Sequence, residues 1–344
     1  MDLDDPQPYR APAWLPGGHL QTVYPLLIEP DDHPYRRERW ETPDGDFIDL
    51  DWNAHVPPPA EPGADPATGP APSSTSLRNP LLILFHGLEG SSGSPYARAL
   101  MHALTAAGWG GGVVHFRGCS GEANRLPRAY HSGDSAEIDW VLRRVRAAHP
   151  GRPLYAVGVS LGGNVLLKWL GERGAEARTL VRAAAAVSVP FDLTASGHQL
   201  ARGLNRLYTR HFLATLKARA LAKLRQHPGL FDPAAVRRAR NLHAFDDLVT
   251  APLHGFRGSD DYWRRASSKP LLPAITVPTL VLNPRNDPFL PAGHLPGAAD
   301  VAPAICLEQP AQGGHVGFVS GPWPGQLDWL PRRLVRFFTE AGKG

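Results

Sequence analysis

Gly158-Val159-Ser160-Leu161-Gly162 follows the apolar run Pro153 to Val157 and precedes a helix-like stretch, Asn164 to Leu170. A strand that feeds a helix through Gly-x-Ser-x-Gly has to turn sharply, which lifts the serine hydroxyl out of the sheet edge. The turn strains the serine backbone and crowds its neighbours, so the flanking positions have no room for a Cβ. The pentapeptide alone is weak, because 35 of the 344 residues are glycine and a tight turn in which Ser160 merely caps the helix would use the same letters. Its meaning depends on what else the chain carries, and in what order.

A serine nucleophile needs a base to take its proton and an acid to orient that base, each on a loop beyond a later strand. The run Thr279-Leu280-Val281-Leu282 reads as a buried strand and breaks into Asn283-Pro284-Arg285-Asn286-Asp287-Pro288, which makes Asp287 the candidate acid. The next apolar run, Ala304-Ile305-Cys306-Leu307, leads to Gly313-Gly314-His315-Val316-Gly317-Phe318, which makes His315 the candidate base. Asp192, just after the run Ala184 to Val189, is a rival acid, and Asp287 is preferred to it. Upstream, Leu81-Leu82-Ile83-Leu84-Phe85 has the fully apolar character of a parallel strand buried on both faces, and it opens into His86-Gly87-Leu88-Glu89-Gly90. The oxyanion donors expected of this order are the backbone N–H groups of Leu88 and Leu161. His86 is read as shaping the loop, since one base suffices.

The chain resembles the YheT-like α/β-hydrolases, which include the eukaryotic abhydrolase-domain esterases and lipases of the same branch. The resemblance rests on Trp14-Leu15-Pro16-Gly17-Gly18-His19-Leu20-Gln21-Thr22, on His86 to Ser92, on Phe116-Arg117-Gly118-Cys119-Ser120-Gly121, on Tyr130-His131-Ser132-Gly133, on the serine pentapeptide and on Asn286-Asp287-Pro288-Phe289. It implies an α/β-hydrolase fold, a mostly parallel central sheet flanked by helices with a helical cap insertion. It also implies hydrolysis of carboxylic esters, with Ser160, Asp287 and His315 at the triad positions.

Along the chain, residues 1-35 read as an irregular arm anchored by Trp14 and Tyr24. Residues 36-189 and 271-344 form the core, interrupted by a Pro/Ala/Gly/Ser-rich stretch at 57-79 that reads as a flexible loop insertion. Arg39 to Thr42 and Phe47 to Trp52 read as an antiparallel pair around Asp44-Gly45. A helix is expected over 134-149, with Ile138, Val141, Leu142 and Val145 on one face and Asp134 with Glu137 as a capping box. Between 190 and 270 helical patterns replace the strand alternation and suggest a cap. There Leu200, Leu204, Leu207, Tyr208, Leu213 and Leu216 form an apolar stripe, opposite Arg202, Arg206, Arg210, Lys217 and Arg219. That basic side reads as a solvated face, with recruitment to anionic lipid interfaces as the functional alternative. The pairs Asp246-Asp247 and Asp260-Asp261 read as solvated loop charge.

Two cysteines in unrelated contexts suggest neither a disulfide framework nor a metal site, and a reducing cytoplasm is the default. The acidic start is unlike a signal peptide, and no apolar stretch approaches the ~20 residues that span a bilayer. A formal charge of +4 with no nucleic-acid motif argues against a nucleic-acid partner. No metal or organic cofactor is implied, and the expected partner is a small acyl ester of short or medium chain. The oligomeric state is left open. The alternatives are an interfacial lipase or phospholipase, an acyltransferase using the same triad, and a binding protein on a hydrolase scaffold.

Overall fold

The computed structural model describes residues 8–28, 33–57 and 79–343. The Pro-rich stretch read as a flexible loop falls, apart from its ends, outside the described residues. Eight strands form one sheet: β1 (Arg36–Glu41), β2 (Phe47–Trp52), β3 (Leu81–Phe85), β4 (Gly110–His115), β5 (Leu154–Val159), β6 (Ala183–Val187), β7 (Thr279–Leu282) and β8 (Ile305–Glu308). Their spatial order is β1-β2-β4-β3-β5-β6-β7-β8. The hairpin β1-β2 and the β2-β4 contact are antiparallel, and β4 through β8 run parallel.

The all-apolar strands follow from burial on both faces. Along β3, Leu81, Ile83 and Phe85 join one core while Leu82 and Leu84 join the other. All five are fully buried, each contributing roughly 1.5–3 kcal/mol relative to exposure. The first core is closed by the helices Ser135–Ala148 and Leu161–Arg173, through Ile138, Val141, Leu142 and Val145 from one and Val165, Leu166, Trp169 and Leu170 from the other. The second is closed by Pro95–Ala106 and Trp329–Ala341, through Leu100, Met101 and Leu104 and through Leu330, Leu334 and Phe338. The expected mostly parallel sheet with helices on both faces is what forms.

Three local expectations change. Asp134 stands at the N-cap of Ser135–Ala148, but its carboxylate accepts both oxygens' worth of bonds from Arg128 (2.8 and 2.7 Å) and caps no backbone N–H. Glu137 likewise accepts from Arg117 Nε at 2.6 Å. Charge-assisted bonds to arginine outcompete the capping box. The N-terminal arm is not wholly irregular, since Gly18–Val23 is helical and Tyr24–Leu27 continues as a 3₁₀ turn. Trp14 and Tyr24 do anchor it, packing edge to face and donating to Gly321 O and Pro324 O.

The third concerns the segment between β6 and β7. Its apolar stripe is divided between two helices, Leu193–Leu200 and Asn205–Gln226, by a turn at Gly203 with φ +50°. The break in helical phase leaves Leu204 and Leu207 exposed, while Leu200 and Leu213 are buried. The helices Pro233–Arg238, Leu242–Phe245 and Ser259–Ala266 follow, with the short helical turns Asp246–Thr250, Ala251–Leu253 and Lys269–Ala274.

Candidate active site

β5 ends at Val159 and the next helix begins at Leu161, so Ser160 alone makes the turn, at φ +52° and ψ −119°. A non-glycine residue held there is strained, and such strain persists only where the surroundings enforce it. The enforcement is visible in the flanking glycines. A Cβ on Gly158 would lie 2.4 Å from Gly162 O, and one on Gly162 would lie 2.3 Å from Phe85 O. Ser160 N–H donates to Val187 O at 2.8 Å, which ties the turn to the neighbouring strand end.

Asp287 and His315 stand on the loops after β7 and β8. The structure brings the three side chains together in line. His315 Nδ1 lies 2.8 Å from Asp287 Oδ2, and His315 Nε2 lies 2.9 Å from Ser160 Oγ. A carboxylate only accepts, so Nδ1 carries the proton and Nε2 is left to accept from the serine hydroxyl. The other Asp287 oxygen accepts from Phe289 N–H at 2.8 Å, and the Asp287 side chain is nearly inaccessible to solvent. The rival, Asp192, is elsewhere: it caps Leu193–Leu200 through Ala195 N–H and pairs with His294.

Leu88 and Leu161 both line the cavity in front of Ser160. Among the described residues, neither backbone N–H has a protein acceptor. The Leu88 loop is fixed on both sides, because Gly87 N–H donates to Tyr96 Oη and Glu89 N–H donates to Tyr130 Oη. His86 holds it from beneath. Its Nδ1–H donates to Gly87 O at 2.7 Å and its Nε2 accepts from Phe116 N–H. Both ring nitrogens are used in the fully buried core, and neither reaches Ser160.

Much of what holds the histidine loop comes from the N-terminal arm, read from sequence only as an irregular segment anchored by Trp14 and Tyr24. His315 N–H donates to Thr22 Oγ1 at 2.8 Å, and Thr22 in turn donates to Gly18 O. Gln21 Oε1 accepts from Gly313 N–H and from Asn286 Nδ2, linking the base loop to the acid loop. The approach is so close that a Cβ on Gly317 would lie 2.1 Å from Gln21 O. Asn164, one turn beyond Ser160, donates to Ser132 O and Ala266 O and accepts from Ser268 N–H. Gln21 and Thr22 were marked in sequence only by the motif that contains them; Asn164 carried no signal.

The cavity measures about 400 Å³, within the range of small-molecule sites. Leu193, Leu200, Phe212, Leu216 and Val249 form apolar walls, and Arg117, Arg128 and Lys223 stand at a polar end. Arg117 is neutralised by Glu137, Asp46 and Asp44. One member of each carboxylate pair, Asp246 and Asp261, behaves otherwise than expected, while Asp247 and Asp260 are exposed as read. Asp246 is no solvated charge: it accepts from Thr250 and Trp263 Nε1, and burial pushes its carboxyl up to about 6. Asp261 is buried among Arg257, Arg264 and Arg265, and Asp260 meets His243 at 3.0 Å.

One fully buried imidazole and two half-buried ones give the fold an acid limit. Burial pushes His86 down to about 3 and His131 down to about 4, and burial with the neighbouring His131 pushes His254 to about 3. All three are neutral in the native state, whereas in the unfolded chain they titrate near the ordinary value of about 6.5. Below that pH the unfolded state binds more protons, so stability falls as pH drops from about 6.5 towards about 4, by on the order of 1 kcal/mol per pH unit for each group. Asp246, held up near 6 in the fold, takes a proton in the folded state over the same range and offsets part of this loss. Urea midpoints measured through this window should therefore decline less steeply than the three histidines alone would give, and His86→Asn should reduce the slope further. A flat profile would contradict the assignment.

Residues 80–322 match the family model described as alpha/beta hydrolase fold. The chain is 39% identical to the putative esterase YheT of Escherichia coli over 93% of its own length and 90% of that protein. It is 32% identical to phospholipase ABHD3 of Mus musculus, covering 96% of this chain and 77% of that one. The Butyrivibrio proteoclasticus protein Est1E, solved with ferulic acid, shares the fold at a TM-score of 0.52 and 16% identity, over 90% of this chain and 100% of that one. With the model spanning most of the residues and the bacterial relative aligned almost end to end, this chain belongs to the alpha/beta hydrolase fold family, on its YheT-like branch of esterases and lipases.

Proposed function

We propose that the protein hydrolyses carboxylic esters of short to medium acyl chain through an acyl-enzyme on Ser160. The observation that carries this reading is the unbroken line from Ser160 Oγ through His315 to Asp287, at 2.9 and 2.8 Å. His315 Nε2 takes the hydroxyl proton as Oγ attacks the ester carbonyl carbon, and the carbonyl oxygen becomes an oxyanion held by the N–H groups of Leu88 and Leu161. Asp287 keeps the imidazole in the tautomer that accepts at Nε2 and steadies the imidazolium. Collapse of the tetrahedral species breaks the ester C–O bond, and His315 hands its proton to the departing alkoxide. Water then attacks the acyl-serine by the same route and releases the acid.

The helical segment between β6 and β7 acts as a cap in this reading, since Leu193, Phe212, Leu216 and Val249 from it line the same cavity as Ser160. A cavity of about 400 Å³ with apolar walls supports an acyl tail rather than a polar chain. Hydrolysis of p-nitrophenyl esters from acetate to palmitate tests the proposal. Activity should peak at a short or medium chain; a rate that rises without limit towards palmitate, or no activity at any length, would contradict it.

A further inference from the structure

Soluble chains scatter single exposed hydrophobic side chains, but contiguous apolar patches mark surfaces that meet something. Among the described residues, the large exposed hydrophobics fall on only three segments. Leu20, Val23, Leu26 and Leu27 belong to the N-terminal arm, with Leu26 and Leu27 66% and 73% exposed. Leu204 and Leu207 stand at the start of Asn205–Gln226, and Trp323, 75% exposed, lies on the loop after the histidine.

These segments touch one another. His19, beside Leu20, stacks on Tyr208, beside Leu207, and its Nδ1 lies 3.1 Å from the Tyr208 hydroxyl. Tyr24 Oη donates to Pro324 O, next to Trp323. The face they make borders the catalytic line: Tyr208 packs edge to face on Phe289, and Phe289 stacks on His315 with ring centroids 4.1 Å apart. One turn beyond Tyr208, Phe212 lines the cavity.

The charge beside this face selects its occupant. Arg202, Arg206 and Arg210 are exposed, and among the described residues none of the three has an ion-pair or side-chain hydrogen-bond partner. Exposed arginines without an ion pair among the described residues occur elsewhere too, Arg178 and Arg182 among them; what sets these three apart is their place within a few residues of Leu204 and Leu207. Apolar side chains flanked by uncompensated arginine suit an interface in which leucine and tryptophan enter the acyl boundary while guanidinium groups meet anionic headgroups. A second copy of the chain would set these arginines against each other.

We infer that this face docks reversibly on anionic bilayers and presents the Ser160 cavity to ester lipids held there. The inference deepens the ester-hydrolase reading by naming where its substrate is met. Flotation of the intact protein with phosphatidylcholine vesicles, with and without phosphatidylglycerol, tests binding without any turnover, so its failure is separable from failure of the catalytic reading.

The protein should float with phosphatidylglycerol vesicles and not with phosphatidylcholine alone. R202A/R206A/R210A should weaken binding on the order of a hundredfold, about fivefold per arginine. L26S/L27S/L207S should weaken it at least tenfold, and all variants should keep the parent's rate on a soluble monomeric ester, which also reports that they fold. Absence of vesicle binding would overturn the inference, as would binding unaffected by either set of substitutions. Dimerisation in solution that the leucine substitutions abolish would assign the face to a second copy instead.

Discussion

Replacing Ser160 by alanine is expected to lower turnover of a p-nitrophenyl ester by about 10⁶-fold, leaving the residual acceleration of substrate binding and the oxyanion donors. The size follows from the unit nature of the site. Without Oγ there is no nucleophile for His315 to activate, and Asp287 then orients a base with nothing to deprotonate. Alanine at φ +52° is strained much as serine is, and the packing of Gly158 and Gly162 is untouched, so the variant should fold as the parent does. Retention of more than about a tenth of the parent's rate, against the fall expected for a triad, would mean that another group performs the attack.

Asp287→Asn should cost about 10⁴ in turnover with little loss of substrate affinity. An asparagine can keep the bond from Phe289 N–H through its carbonyl, which then leaves its amide facing His315 Nδ1. That amide donates, so Nδ1 must accept and the imidazole proton moves to Nε2. Ser160 Oγ would then face a donor and lose its base. The same substitution at Asp192 should change the rate little, because that carboxylate caps a helix and pairs with His294 instead. Equal losses at the two positions would refute the assignment of the acid.

The parts legible in sequence were those that follow strands. Ser160 comes directly after an apolar run that burial on both faces made uniform, Asp287 and His315 stand on the loops that follow two later apolar runs, and a parallel sheet delivers the ends of such strands to one edge. What could not be read depends on contacts between distant segments. Nothing local indicates that Gln21 bridges Asn286 and Gly313, or that Asn164 ties the turn of Ser160 to Ala266 and Ser268. Asp246 looked solvated because it stands beside a second aspartate, and it is half-buried because Thr250, one turn on, and Trp263, on the helix Ser259–Ala266, donate to it. The stripe through Leu204 and Leu207 had helical spacing, yet Gly203 resets the phase and turns both outward. Arg128 and Arg117 took the carboxylates that the Asp134–Glu137 spacing had offered to the helix backbone.

The central claim is that Ser160 is a nucleophile activated by His315, and intact-protein mass spectrometry after exposure to a fluorophosphonate tests it most directly. The account predicts a single covalent adduct that maps to Ser160 and is absent from both Ser160→Ala and His315→Ala. An unmodified parent protein, or an adduct that survives the loss of Ser160, would contradict it.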